Sequence, residues 1–133
     1  MAQFVFQNMV DERGLSTFYE IDSAATSTEE IGNPIYYLAK AKLKEKKIPY
    51  KEHRARQIRR DDYDYYDHII LMDPMNFRWI RRIIPQDPEG KIRPLLEDRA
   101  VDDPWYTRDF EQAYLDIVEG CRILLRKTET ERI

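Results

Sequence analysis

An α/β fold, a small parallel sheet in a three-layer sandwich with helices on both faces, follows from three features of these 133 residues. Helix-like and strand-like patterns alternate along the chain. One compact apolar run, Asp67-His68-Ile69-Ile70-Leu71-Met72, has the composition of a strand buried on both faces. Near the end, Phe110, Ala113, Tyr114, Ile117, Val118, Cys121, Leu124 and Leu125 recur at helical spacing for four turns. Such alternation builds a sheet covered on both sides.

The elements are expected as follows. Residues 2–13 form a helix with Phe4, Val5, Asn8 and Met9 on one side and Gly14 as its stop. Residues 18–23 alternate and read as a strand. Residues 26–33 form a polar loop. Asn33 caps and Pro34 opens a helix running to about Lys46, with Ile35, Leu38 and Ala39 inward. Residues 67–72 are the buried strand. Asp73 and Pro74 repeat the cap-and-proline start, and Phe77, Ile80, Ile83 and Ile84 give that helix its apolar face. Gly90 precedes a short strand over 92–96, and 97–108 form a polar loop.

Bulk properties narrow the function. Hydrophobic residues make up 42% and charged residues 35%, a globular balance with a highly charged surface. The net charge of −3 supplies no global attraction to nucleic acid or anionic membrane, and neither is expected as a partner. No apolar run is long enough to span a bilayer, and the first residues lack a basic leader. A single cysteine, Cys121, excludes a disulfide within the chain. A cytoplasmic protein without cofactor or metal is the expectation. Lys40 to Arg60 holds ten Lys or Arg against Glu45 and Glu52, and Asp61, Asp62, Asp64 and Asp67 follow at once. The run reads as a solvated face rather than a nucleic-acid site.

Several short motifs stand in a recognisable order. They are Asp22-Ser23-Ala24-Ala25-Thr26-Ser27, Gly32-Asn33-Pro34, His53-Arg54-Ala55-Arg56-Gln57, Tyr66-Asp67 with Met72-Asp73 and Asn76, and Asp103-Pro104-Trp105-Tyr106. Together they resemble the landmarks of the low-molecular-weight protein tyrosine phosphatases, and the resemblance runs from Met1 almost to the C-terminus. It implies one phosphatase-like domain over 1–133, incomplete at its N-terminus. The family opens with a strand and a Cys-x5-Arg loop. Here Met1-Ala2-Gln3 resembles the residues just after that loop, and Cys121 is followed six places later by Lys127, so no Cys-x5-Arg occurs.

What the resemblance implies is phosphotyrosine monoester hydrolysis through a cysteinyl-phosphate. That chemistry needs an ionised thiolate, a guanidinium on the transferring oxygens, and a carboxylic acid for the leaving phenolate. Asp103 resembles the acid. Trp105 and Tyr106 resemble the wall that stacks on the substrate ring, with tryptophan where the family usually has tyrosine. Ser23 and His53 resemble the shell that supports the phosphate loop. Glu29 or Glu30 stands where many members carry an aromatic wall. The substrate is a phosphotyrosine protein or a small aryl phosphate. This chain, without the nucleophile, is expected to be inactive as written.

Two other readings stay open: a non-catalytic relative that binds partners, and an arsenate reductase. The latter needs further cysteines for its redox relay, and the chain has one. The family's strand order is 2-1-3-4, so absence of the first strand would leave a slot of roughly 9.6 Å between 18–23 and 67–72. The unpaired edges would then make the chain marginally stable or self-associating.

Overall fold

The computed structural model describes residues 1–27, 31–101 and 104–132, with the side chains of Trp105 and Tyr106 also outside the description. Helix α1 (Ala2–Glu12) buries Phe4, Val5, Phe6 and Val10. It stops where Gly14 takes a φ of 68°, a left-handed value that glycine adopts without a Cβ penalty. A 3₁₀ turn (Ser16–Phe18) follows, then α2 (Tyr37–Glu45), α3 (Arg60–Tyr65), β1 (Ile69–Leu71), α4 (Pro74–Ile83), β2 (Ile92–Pro94), α5 (Pro104–Thr107) and α6 (Phe110–Arg132).

Strands β1 and β2 pair in parallel, Ile69 opposite Ile92 and Leu71 opposite Pro94. Successive strand side chains point to opposite faces. Ile69 and Leu71 accordingly join a core with Ile58, Tyr63, Ile80 and Ile84, beneath α3 and α4. Ile70 and Met72 pack on the other core, built from α1, Leu43 of α2, and Ile117, Cys121 and Leu125 of α6. The two faces give the three layers that the alternating pattern implies. Pro94 has no N–H to donate and ends the edge strand where that costs nothing.

Three expectations need correction, and one helix was not anticipated. Residues 18–23 do not form a strand. After the 3₁₀ turn the chain makes no ladder with any strand among the described residues, and it pairs first at Ala25 with Gln57. The second helix begins at Tyr37 rather than at Asn33 and Pro34. The backbone of that stretch is committed elsewhere: Ala55 N donates to Asn33 O (2.8 Å), and Pro34 bridges Arg54. Helix α3 lay hidden in a run of charge and tyrosine without apolar periodicity. Its start is fixed by Asp62 Oδ2, which accepts from Arg59 N at 2.7 Å. Part of the expected loop at 97–108 is helical, as α5.

The third helix forms as expected. Asp73 Oδ1 accepts from Asn76 N (3.0 Å), and Asn76 Oδ1 accepts in return from Met72 N and Asp73 N. Helix α6 continues past its apolar stripe to Arg132. Its last turns are tied down by Tyr19 Oη, which lies 2.7 Å from Thr128 Oγ1 and donates to Glu129 Oε2 at 2.6 Å. Arg132 and then Tyr19 draw the Glu129 carboxyl down to about 2.

Gly120 sits where α6 crosses β2's exit. A Cβ there would run into Cγ and both Cδ atoms of the buried Leu95. Replacing glycine by alanine inside a helix ordinarily gains up to about 1 kcal/mol. Overpacking a core of this kind costs about 1–3 kcal/mol. The expected outcome for Gly120→Ala is a net loss of stability, and for Gly120→Val a larger one, read as lower urea midpoints at unchanged slope. A midpoint raised in the alanine variant would show that Leu95 yields freely.

Candidate functional site

The residues of the candidate site are drawn together by loops, so the backbone between elements must be accounted for first. Residues 53–58 are laced on both sides. Ala25 N donates to Arg56 O (2.7 Å) and Ile58 N to Ala25 O (2.8 Å), while Gly32 N donates to Ala55 O (2.8 Å). Arg54 Nη1 adds a bond to Gly32 O at 2.8 Å. This lacing brings His53 against Ser23 and the start of α1.

Ser23 Oγ donates to Gln3 Oε1 at 2.6 Å and lies 3.0 Å from His53 Nε2. With its proton committed to Gln3, the hydroxyl accepts from Nε2–H. That assigns the Nε2-protonated tautomer and leaves Nδ1 facing Asp22 Oδ1 at 4.0 Å. The imidazole also stands edge-on to Phe4, ring centres 6.3 Å apart. Ser23, Ala25, Asn33, Pro34, His53 and Ala55 line a cleft of about 200 Å³.

Behind the cleft, Arg56 links two carboxylates. Its Nε donates to Asp22 Oδ2 (3.2 Å), and Nη1 and Nη2 form a two-pronged pair with Asp62 at 3.0 and 3.2 Å. Burial of Asp62 opposes its ionisation. The guanidinium and the Arg59 N–H outweigh that burial and hold the carboxyl below its ordinary range. Sequence reasoning missed this clamp. Its signals were Arg56, two residues from Arg54 in the third motif, and the Arg59-x-x-Asp62 spacing of a helix start. Gln3 was passed over as well, although its place in the first turn of α1 was legible.

Of the expected site residues, Ser23 and His53 are in contact. Asp103 lies outside the described residues, as do Glu29 and Glu30. Trp105 and Tyr106 lie within α5, and their side chains are not described. The flanks of that loop are well tied. Val101 N donates to Met72 O (2.8 Å), just beyond the end of β1. Arg99 donates to Asp98, to the buried Asp116 and to Glu119 on α6 at 2.7–3.3 Å. Arg108 Nη1 donates to Tyr36 Oη (2.8 Å).

Cys121 is buried in α6, and burial pushes its thiol up to about 12, as suits a small apolar core residue. The basic run is largely paired within the fold: Lys40 with Glu52, Lys42 and Lys46 with Glu45 and Glu111, Arg56 with Asp22 and Asp62. Among the described residues no helix is long and apolar enough to cross a membrane, and no group of His, Cys, Asp or Glu could hold a metal ion.

Comparison with known proteins agrees over nearly the whole chain. Residues 1–132 match the family model for low molecular weight phosphotyrosine protein phosphatase. A Gallus gallus protein of that name is 36% identical over 96% of this chain and 85% of its own length. The crystal structure of YfkJ from Bacillus subtilis superposes with a TM-score of 0.93 at 30% identity, covering 99% of this chain and 87% of that one. A low molecular weight protein tyrosine phosphatase from Streptococcus pyogenes gives 0.86 at 35% identity, covering 95% and 81%.

The Arg56 clamp makes a signed prediction. Removing one partner of a largely buried pair, as in Arg56→Met, is expected to cost about 1–3 kcal/mol at neutral pH. Because the folded-state pKa of Asp62 is depressed, its contribution is complete above the unfolded value of about 3.9 and disappears as pH falls through the folded one. The difference in thermal midpoint between wild type and Arg56→Met should therefore shrink towards zero below about pH 4. A gap that stays constant from neutral pH into acid would assign the effect to packing of the arginine stem.

Proposed function

Because the chain belongs to the low molecular weight phosphotyrosine protein phosphatase family, we propose that its cleft serves phosphotyrosine or aryl phosphate recognition, with Asp103 as the group that protonates the departing phenolate. The observation that carries this reading is the Val101 N to Met72 O bond. It starts the loop, two residues before Asp103, at the C-terminal end of β1. Open parallel sheets bind their ligands outside that edge. On either side of that loop, Arg99 is bonded to Asp116 and Glu119 of α6 and Arg108 to Tyr36.

Trp105 and Tyr106 follow Asp103 directly and are proposed to stack on the substrate ring. Ser23 and His53 are proposed as support: they fix geometry through the chain Gln3–Ser23–His53 and make no bond to substrate. Their sequence order, with Asp22 beside them, superficially suggests a serine nucleophile. The geometry argues otherwise, since the Ser23 proton is directed at Gln3 and the imidazole donates to the oxygen rather than taking its proton.

The family's chemistry also needs a thiolate and an arginine six residues beyond it. The 133 residues contain no Cys-x5-Arg, and the one thiol present is buried and held protonated. A general acid alone supplies only about 10²–10⁴-fold. Hydrolysis of p-nitrophenyl phosphate by the chain as written is therefore expected at background, and Cys121 should resist iodoacetamide at pH 8 until the protein is unfolded. Turnover that survives purification to homogeneity and vanishes in Asp103→Asn would reveal a nucleophile elsewhere in these residues. A Cys121 alkylated rapidly in the native state would contradict its burial.

A further inference from the structure

Helix α4 has a surface that the phosphatase reading does not use. Its inner side, Phe77, Ile80 and Ile83, fills the core under the sheet. Its outer side exposes Met75 (50%) and Trp79 (38%), one turn apart, with the Arg82 guanidinium stacked 4.5 Å from the centre of the indole ring. Arg78 and Arg81 are exposed beside them and have no carboxylate partner among the described residues.

The composition is unlike that of a solvated helix face. The ten residues Pro74–Ile83 include no Lys, Glu, Asp, Ser or Ala, in a chain that is 35% charged. Those five residue types are depleted where proteins meet one another, while Met, Trp, Phe and Arg are enriched. Arg81 and Arg82, in the last turn, also complement the negative end of the helix dipole. Arg78 lies mid-helix, where that dipole has little reach. Arg56, Arg99 and Arg132, by comparison, each hold carboxylates of this chain.

From this we infer that the exposed face of α4 is a docking site for an acidic protein segment with an apolar anchor. The anchor seats on Met75 and Trp79, and carboxylates of the segment pair with Arg78, Arg81 and Arg82. Three positive charges within ten residues, against a net charge of −3 for the whole chain, make the attraction local. That local field steers an acidic ligand to this helix. The site is independent of the phosphatase chemistry, because neither Asp103 nor the Ser23–His53 cleft takes part.

The test is titration of the 133-residue chain with a short peptide of glutamates flanking a central leucine, followed through the Trp79 indole N–H resonance, which Trp79→Phe identifies. The expected result is saturable binding that weakens with added salt. Arg78→Glu with Arg82→Glu should reduce affinity by about tenfold or more at an unchanged unfolding midpoint. Arg122→Glu with Arg126→Glu, on the distant α6, should leave affinity unchanged. The inference is overturned if the peptide fails to saturate, or if the α6 reversal weakens binding as much as the α4 one. Equal binding of a lysine-for-glutamate peptide would also overturn it. So would engagement of Trp79 by phosphatidylserine–phosphatidylcholine vesicles without response to the peptide.

Discussion

A single guanidinium holds together the part of the chain that has no sheet to order it. Residues 19–24 make no ladder with any strand among the described residues, and residues 53–58 carry only isolated bridges. Arg56 reaches from the second segment to Asp22 in the first and to Asp62 in α3. Without that charge, two carboxylates would face each other across a partly buried gap. A buried carboxylate is tolerable only when its lone pairs are occupied, and Asp62 meets that condition with both guanidinium prongs and the Arg59 N–H. Together with the backbone bonds of residues 53–58, this arrangement sets His53 against Ser23, so the shape of the cleft depends in part on a residue that does not line it.

A second junction organises the other end of the sheet. Within two residues of β1, Met72 and Asp73 give backbone or side-chain bonds to α4 and to the loop that leads into Asp103. The helix start and the loop start are thus set by one short stretch of backbone. Displacement of α4 along its axis would be felt at Val101 through Met72.

Periodicity made the strongest elements legible. The apolar stripe of α6, the Asp73-Pro74 start of α4 and the buried run in β1 each carry their own signal, and each appears. Legibility failed where the deciding partner lies far away in sequence. Residues 18–23 have strand composition, but a strand is a relation between segments, and no strand among the described residues pairs with them. Asn33 and Pro34 look like a helix start, yet their backbone is engaged by residues 54 and 55. Ser23 and His53 could be paired only through resemblance to a family, since nothing local in either residue shows that thirty positions of chain bring them to 3.0 Å. The Arg56 clamp was missed for the same reason.

The main core joins the two ends of this chain: α1, at residues 2–12, packs against α6, at residues 110–132. During synthesis from the N-terminus, Phe6 and Phe4 can meet Tyr19 and Tyr50 early, but the α6 side of α1 has no native neighbour until nearly all the remaining residues have left the ribosome. At roughly 5–20 residues per second, that is a wait of several seconds with the core open on its α6 side. Closure of the main core is therefore a late step, because contacts between distant parts of a chain form only after the intervening loop has been drawn in.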